Sequence, residues 1–133
     1  MIYAVNITQK GMEGERLARL FIKEHYNCES LFQADWITKI DGVWYVVEVK
    51  RKDLFLPPPF LGTGLNVSQV KSRLGFYKDT GIRCLLMFLN PEDNNVYVGW
   101  LDELDKGEKF DTKNNIRIYP LENFKWVGVV TED

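Results

Sequence analysis

The dipeptide Asp41-Gly42 lies between two stretches rich in β-branched and aromatic residues, and it constrains the fold more than any other part of the sequence. Asp-Gly in this setting predicts a two-residue type I′ turn, because both central residues of that turn have positive φ. The turn pairs Ile40 with Val43 and fixes the register of a β-hairpin. Counting back along the hairpin places Asp35 directly opposite Glu48.

This register brings three ionisable side chains to one face of the hairpin. Side chains alternate between the faces of a strand, so Lys50 shares the face of Glu48 and Asp35. An apolar layer is expected on the opposite face, from Tyr45, Val47 and Val49. Like charges placed opposite one another are destabilising, so a positive group is expected between the two carboxylates. The alternative is an ordinary exposed hairpin face with scattered charges.

Two carboxylates and an ammonium on a rigid hairpin suit metal-dependent phosphodiester hydrolysis. Asp35 and Glu48 offer hard oxygen ligands to Mg²⁺, which keeps its other positions for water and phosphate oxygens. The metal lowers the pKa of a bound water and neutralises charge on the phosphate. Lys50 can orient the attacking hydroxide or stabilise the negative charge of the transition state.

The pattern of Asp35 followed by Glu48-Val49-Lys50 resembles the signature of the PD-(D/E)XK nuclease superfamily, with Ala34 in place of the proline. Two further segments are similar to Holliday junction resolvases of the archaeal type. Residues 10–16 open a helical pattern in which Glu15 matches a helix glutamate of these resolvases. Gln69 matches a glutamine on a later helix, and the resemblance covers residues 9–90.

The resemblance implies an α/β, restriction-endonuclease-like fold: a mixed central sheet with flanking helices (αβββαβ) over residues 9–90, followed by a small β-rich extension over residues 91–133. It implies a Mg²⁺-dependent endodeoxyribonuclease, with Mn²⁺ as a substitute, acting on branched DNA as a homodimer. Asp35, Glu48 and Glu15 would hold the metal, Lys50 would stabilise or orient, and Gln69 would position water or substrate.

Several alternatives stay open at this point. Glu13 lies on the other edge of the same helical arc and is the alternative to Glu15. Gln69 stands three residues after Asn66, as in a capping box, which is a purely structural role. The enzyme could instead be a restriction or repair nuclease for linear or single-stranded DNA. A non-catalytic DNA-binding protein of the same fold is favoured by the acidic balance and opposed by the intact Asp35, Glu48 and Lys50.

The net charge of −2 is low for a DNA-binding domain, but the charge is unevenly distributed. Residues 39–83 hold eight Lys and Arg against four Asp and Glu, whereas residues 84–133 hold five against ten. DNA contacts are therefore expected from the basic residues at the hairpin exit and on the second helix: Arg51, Lys52, Lys71, Arg73 and Lys78. The alternative is that these residues form a solvated face.

Composition sets the remaining limits. The 133 residues, 45% of them hydrophobic, predict one globular domain. No apolar stretch is long enough to span a membrane and the start of the chain lacks the layout of a signal peptide, which together predict a cytoplasmic protein. Two distant cysteines and one histidine exclude a zinc cluster.

Periodicity and turn signals predict the order of the elements. The expected elements are a helix over residues 11–25, a strand near 29–32, hairpin strands over 33–40 and 43–51, a helix over 67–81, and strands over 84–89, 96–100 and 115–119. Residues 102–105 are expected to form an acidic loop. The proline-rich stretch 53–64 is expected to form a loop that serves as a dimer contact or a lid, or that folds back onto its own core.

Overall fold

A computed structural model of the chain describes residues 2–26, 32 and 34–131, with side chains from residue 13 onward. The chain forms two compact units, Met1–Gln33 and Ala34–Asp133. The prediction of a single domain over residues 1–133 therefore stays a prediction. The strand expected near residues 29–32 lies outside the described residues except for Phe32, which is not part of a strand.

The described residues of the first unit include the helix α1 (Ile2–His25), which begins well before the predicted residue 11. Lys23 lies in its last turn, where its positive charge interacts favourably with the helix dipole. Among the described residues no helix is both long enough and apolar enough to cross a membrane.

The second unit is built on a mixed five-stranded sheet. Its strands lie in the order β1, β2, β4, β5, β8, with the bounds Trp36–Ile40, Val43–Lys50, Cys84–Leu89, Asn95–Trp100 and Lys125–Val129. Strands β2 and β4 are parallel, and every other neighbouring pair is antiparallel. The predicted α/β class with a mixed central sheet is confirmed.

The hairpin turn has the predicted geometry. Asp41 and Gly42 have φ values of 51° and 82°, as a type I′ turn requires. Ile40 pairs with Val43, and the ladder continues in the predicted register to Trp36 opposite Val47. The Asp41-Gly42 turn therefore predicted the pairing register of β1 and β2 correctly.

The connection from β2 to β4 contains strand β3 (Gly62–Asn66) and helix α2 (Val67–Thr80). The helix agrees with the prediction, and Gly81 ends it with a φ of 78° and a hydrogen bond from its N–H to the carbonyl of Tyr77. The prediction that residues 53–64 are entirely loop is wrong at its end, because Gly62 begins β3. This strand pairs outside the central sheet.

A second, three-stranded sheet has the order β3, β7, β6. Strands β6 (Phe110–Asp111) and β7 (Ile116–Pro120) come from the last third of the chain, as do β5 and β8 of the central sheet. The prediction of an acidic loop over residues 102–105 is wrong, because the short helix α3 (Leu101–Leu104) begins there. Its first turn holds Asp102 and Glu103, where negative charge suits a helix N-terminus.

The most deeply buried part of the central sheet is the face that carries Glu48. Val46, Leu86 and Phe88 are at most 1% exposed, and strand alternation and pairing place them on that face. On the other face of β2, Val47 is buried while Tyr45 and Val49 are half-buried. The sequence placed the apolar layer on the Tyr45 face alone, because it did not show that α2 packs over the charged one.

We expect Gly64→Ala and Gly75→Ala to change stability in opposite directions. A Cβ at Gly64 would collide with the backbone carbonyl of Arg117 on β7, so alanine should lower the free energy of unfolding by about 1–3 kcal/mol or more. Gly75 lies within α2 with open space around its Cβ position, so alanine there should raise it by about 1 kcal/mol. Urea unfolding of the two variants measures both, and equal effects would contradict the β3–β7 packing.

Candidate active site

Asp35 lies just before β1, and its side chain is held against the neighbouring strand. Its Oδ2 accepts a hydrogen bond from the backbone N–H of Val49 at 3.0 Å. This bond extends the contact between the two chain segments past the last pair of the ladder, Trp36 with Val47. The carboxylate of Asp35 is therefore anchored beside the segment Glu48-Val49-Lys50.

Glu48 is a buried carboxylate with a buried positive partner. The residue is 1% exposed, and its Oε1 accepts a hydrogen bond from Nε of Arg73 at 2.6 Å. Burial raises the pKa of Glu48, the guanidinium of Arg73 opposes that rise, and the negative charge of Asp35 adds to it. The net effect is a raised pKa, and the two carboxylates are close enough to influence each other.

The position of Arg73 contradicts the prediction that this residue contacts DNA. It was expected to contact DNA from a solvated helix face, but it is 9% exposed and points into the unit toward Glu48. A buried carboxylate requires a charged or hydrogen-bonding partner, and α2 supplies it. Arg73 is thus a buried positive partner of Glu48, a role that the sequence did not predict for it. The other four predicted DNA contacts are exposed: Arg51, Lys52, Lys71 and Lys78.

Lys50 lies on the same face of β2 as Glu48, at the end of the strand, and is half-buried. It lines a small cavity together with Lys52, Thr63 and Asn66. Asn66 also lines a shallow polar depression with Lys71 and residues 114–115 of the β6–β7 turn. A polar surface with three lysines therefore runs from the end of β2 past the start of α2.

Gln69 lies on the face of α2 that packs over Glu48. It lies four residues before Arg73, so the two side chains share a face of α2. Because β2 and β4 are parallel, the connecting helix runs opposite to β2, which puts Gln69 toward the Lys50 end of the strand. Among the described residues, its buried Oε1 has no hydrogen-bond partner. The N-cap residue Asn66 makes no side-chain cap hydrogen bond, so these groups do not form the alternative capping box.

The donor set fits a hard divalent cation. The described part of the chain contains no cluster of three or more His, Cys, Asp and Glu side chains. Mg²⁺ does not require one, because it binds through one or two carboxylates and completes its shell with water and phosphate oxygens. Asp35 and Glu48 would be the two carboxylates of such a site, and the unsatisfied Oε1 of Gln69 would be an acceptor for a bound water.

The helix acids belong to the first unit, so their role at the site stays a prediction. Glu13 pairs with Arg16 along α1, with Oε1 2.6 Å from Nη2, and this hydrogen bond and the charge of Arg16 lower the pKa of Glu13. Glu15 is exposed on the same helix and also has an interaction partner. The choice between Glu13 and Glu15 therefore remains as the sequence left it.

Cys84 begins β4 next to this site, and we expect it to be unreactive. It is 3% exposed, and burial together with the charge of Glu48 raises the pKa of its thiol to about 12. Since the thiolate is the reactive form, it should react with iodoacetamide only when the protein is unfolded. Peptide mass mapping after alkylation at pH 8, with and without urea, measures this directly. Rapid labelling of Cys84 in the folded protein would contradict the described packing.

No protein-family model matches the sequence. It also matches no curated protein. Among solved structures, the chain is similar to Hjc, a Holliday junction resolvase from the archaeal hyperthermophile Archaeoglobus fulgidus. The superposition covers 80% of this chain and 84% of that chain, with 15% sequence identity and a TM-score of 0.45.

Proposed function

We propose that the protein is a metal-dependent endodeoxyribonuclease that hydrolyses phosphodiester bonds in branched DNA. The observation that supports this most strongly is the meeting of two carboxylates, Asp35 and Glu48, on one hairpin whose next same-face residue is Lys50. Hard oxygen ligands beside an ammonium group are what metal-assisted phosphodiester hydrolysis needs. The preference for branched DNA rests on the resemblance of the sequence motifs to the resolvases.

Each residue of the site has a distinct role in this proposal. Asp35 and Glu48 would hold Mg²⁺, or Mn²⁺ in its place, and the metal-ligand role of Glu15 is the one that the sequence resemblance implies. When bound, the ion would supply a water of lowered pKa and neutralise charge on the phosphate. Lys50 donates hydrogen bonds to the phosphate oxygens as negative charge develops on them. Gln69 accepts a hydrogen bond from the attacking water through Oε1 and so orients it.

The exposed basic residues near the site would hold the DNA backbone. Lys52 lines the small cavity and Lys71 lines the polar depression, and Asn66 lines both. The two lysines can therefore bind phosphates on the two sides of the scissile bond. Arg51, next to Lys52, and Lys78, in the last turn of α2, are also exposed. We also propose a homodimer, because a two-fold assembly matches the two symmetric cleavage positions of a four-way junction.

We expect Lys71→Ala to weaken DNA binding without changing sequence preference. Removing one phosphate contact should reduce the slope of log affinity against log salt concentration by about one. Lys106→Ala, which removes an exposed lysine from the turn after α3, is the matched control and should leave the slope unchanged. Fluorescence anisotropy over a salt series measures both, and identical slopes for the two variants would contradict the proposed DNA surface.

The substrate is tested by cleavage of a labelled panel containing a four-way junction, a flap, a nicked duplex, a linear duplex and a single strand. Each is incubated with Mg²⁺, with Mn²⁺ and with chelator. Paired symmetric cuts in the junction, absent with chelator, are the expected result. Cutting of only linear or single-stranded DNA would move the function to restriction or repair. Junction binding without any cutting would favour the non-catalytic alternative.

A further inference from the structure

Two carboxylates and two cations of the second unit, counted without the lysines that line the neighbouring surface, have charges that cancel one another. Asp35 and Glu48 each contribute one negative charge, and Lys50 and Arg73 each contribute one positive charge, so their formal sum is zero. Of the two cations, Arg73 is the more deeply buried: it is 9% exposed, whereas Lys50 is half-buried at the end of β2. A charge in that position is weakly screened by solvent and salt.

The contact between Arg73 and Glu48 also limits how the carboxylate can bind a cation. Oε1 of Glu48 already accepts a charge-assisted hydrogen bond from Arg73 at 2.6 Å, so this oxygen has less free electron density to offer a metal. A divalent cation entering this site therefore meets a carboxylate that is already paired with a cation, and the charge of the ion is repelled by the nearby guanidinium. DNA changes this balance, because each phosphate brings a negative charge and oxygen ligands for the ion.

We propose that Arg73 is an internal counter-cation that keeps the metal affinity of the site low until DNA is bound. Metal and DNA then bind cooperatively, and the free protein carries little metal. This inference rests on the proposed function, since it takes Asp35 and Glu48 as the metal ligands. Arg73 acts through Glu48 and is a positioning residue that touches neither the metal nor the DNA.

The first test measures Mn²⁺ binding to the DNA-free protein by electron paramagnetic resonance, with circular dichroism to confirm folding. Arg73→Gln removes the charge and retains a donor for Glu48, and it should bind Mn²⁺ at least about tenfold more tightly than the wild type, within the usual range of coupling between sites. Arg73→Lys keeps the charge and should resemble the wild type. An unchanged or weaker affinity in Arg73→Gln would overturn the proposal and leave Arg73 as a structural partner of Glu48.

The second test uses only the wild-type protein and therefore does not depend on the folding of a variant. The Mn²⁺ affinity is measured on ice with and without a four-way junction, whose integrity is then checked on a denaturing gel. The DNA should tighten Mn²⁺ binding by at least about tenfold, and by linkage Mn²⁺ should tighten DNA binding equally. Independent binding of the two ligands would overturn the proposal. A protein that cuts DNA but shows no coupling would refute this inference alone, whereas one that binds neither Mn²⁺ nor DNA would refute the proposed function itself.

Discussion

Replacing Lys50 with alanine is expected to reduce the rate of DNA cleavage by about 100- to 1,000-fold, the usual cost of removing one group that stabilises transition-state charge. The side chain lies at the end of β2 beside Glu48 and is half-buried, so its loss should change folding stability little. DNA affinity should be largely retained, because the exposed lysines and Arg51 remain. The effect should therefore appear in kcat rather than in binding.

The matched control for this variant is Lys125→Ala, which removes an exposed lysine from β8, at the far edge of the same sheet. It should cut DNA at the wild-type rate. Single-turnover cleavage with saturating protein separates chemistry from binding. If Lys50→Ala also cleaves at the wild-type rate, Lys50 has no role in the chemical step and the proposed mechanism is wrong.

Arg73→Ala is expected to lower the free energy of unfolding by about 3–5 kcal/mol, because it leaves Glu48 as a buried charge without its partner. The pair is almost completely buried, with side-chain exposures of 10% for Arg73 and 2% for Glu48. Arg51→Ala removes an exposed arginine next to the same strand and should change stability by no more than about 0.5 kcal/mol. Urea unfolding compares the two variants, and equal small effects would contradict the burial of the pair.

The loss in Arg73→Ala should grow as the pH rises. Arg73 lowers the pKa of Glu48, so its removal moves that pKa further above the value in the unfolded chain. A carboxyl group with a raised pKa in the folded state contributes stability below its unfolded pKa and loses it as the pH rises through the folded pKa. Unfolding at pH 5 should therefore show a smaller difference from the wild type than unfolding at pH 8. The opposite trend would mean that burial does not dominate the titration of Glu48.

Features set by neighbouring residues could be predicted from the sequence. The turn at Asp41-Gly42 specified the hairpin register through backbone conformation alone, and that register placed Asp35 beside the Glu48 segment. The bounds of α2 followed from its apolar spacing and from Gly81, which adopts the left-handed conformation at the helix end. In these cases the physical cause lies within a few residues of its effect.

Features set by distant partners could not be predicted. Strand β3 contains two glycines and little β-forming sequence, and it exists because β7, about fifty residues later, pairs with it. Arg73 looked like one more base on a solvated helix, and only packing against Glu48 shows that it is buried. A carboxylate known to be buried against a helix would have indicated this partner, because a buried charge requires a positive or hydrogen-bonding group nearby.

Metal-dependent cleavage of DNA should depend on the carboxylates of one hairpin, and a pair of matched variants measures this dependence. Asp35→Asn removes the proposed metal ligand while keeping an acceptor for the N–H of Val49, and Asp41→Asn removes a carboxylate from the same hairpin while preserving the turn. Cleavage of a four-way junction is measured for both with Mg²⁺ and with chelator. We predict that Asp41→Asn cuts like the wild type, that Asp35→Asn is slower by about 100-fold or more, and that chelator stops all cutting. Cutting by Asp35→Asn at the wild-type rate, or cutting that survives the chelator, would contradict this dependence.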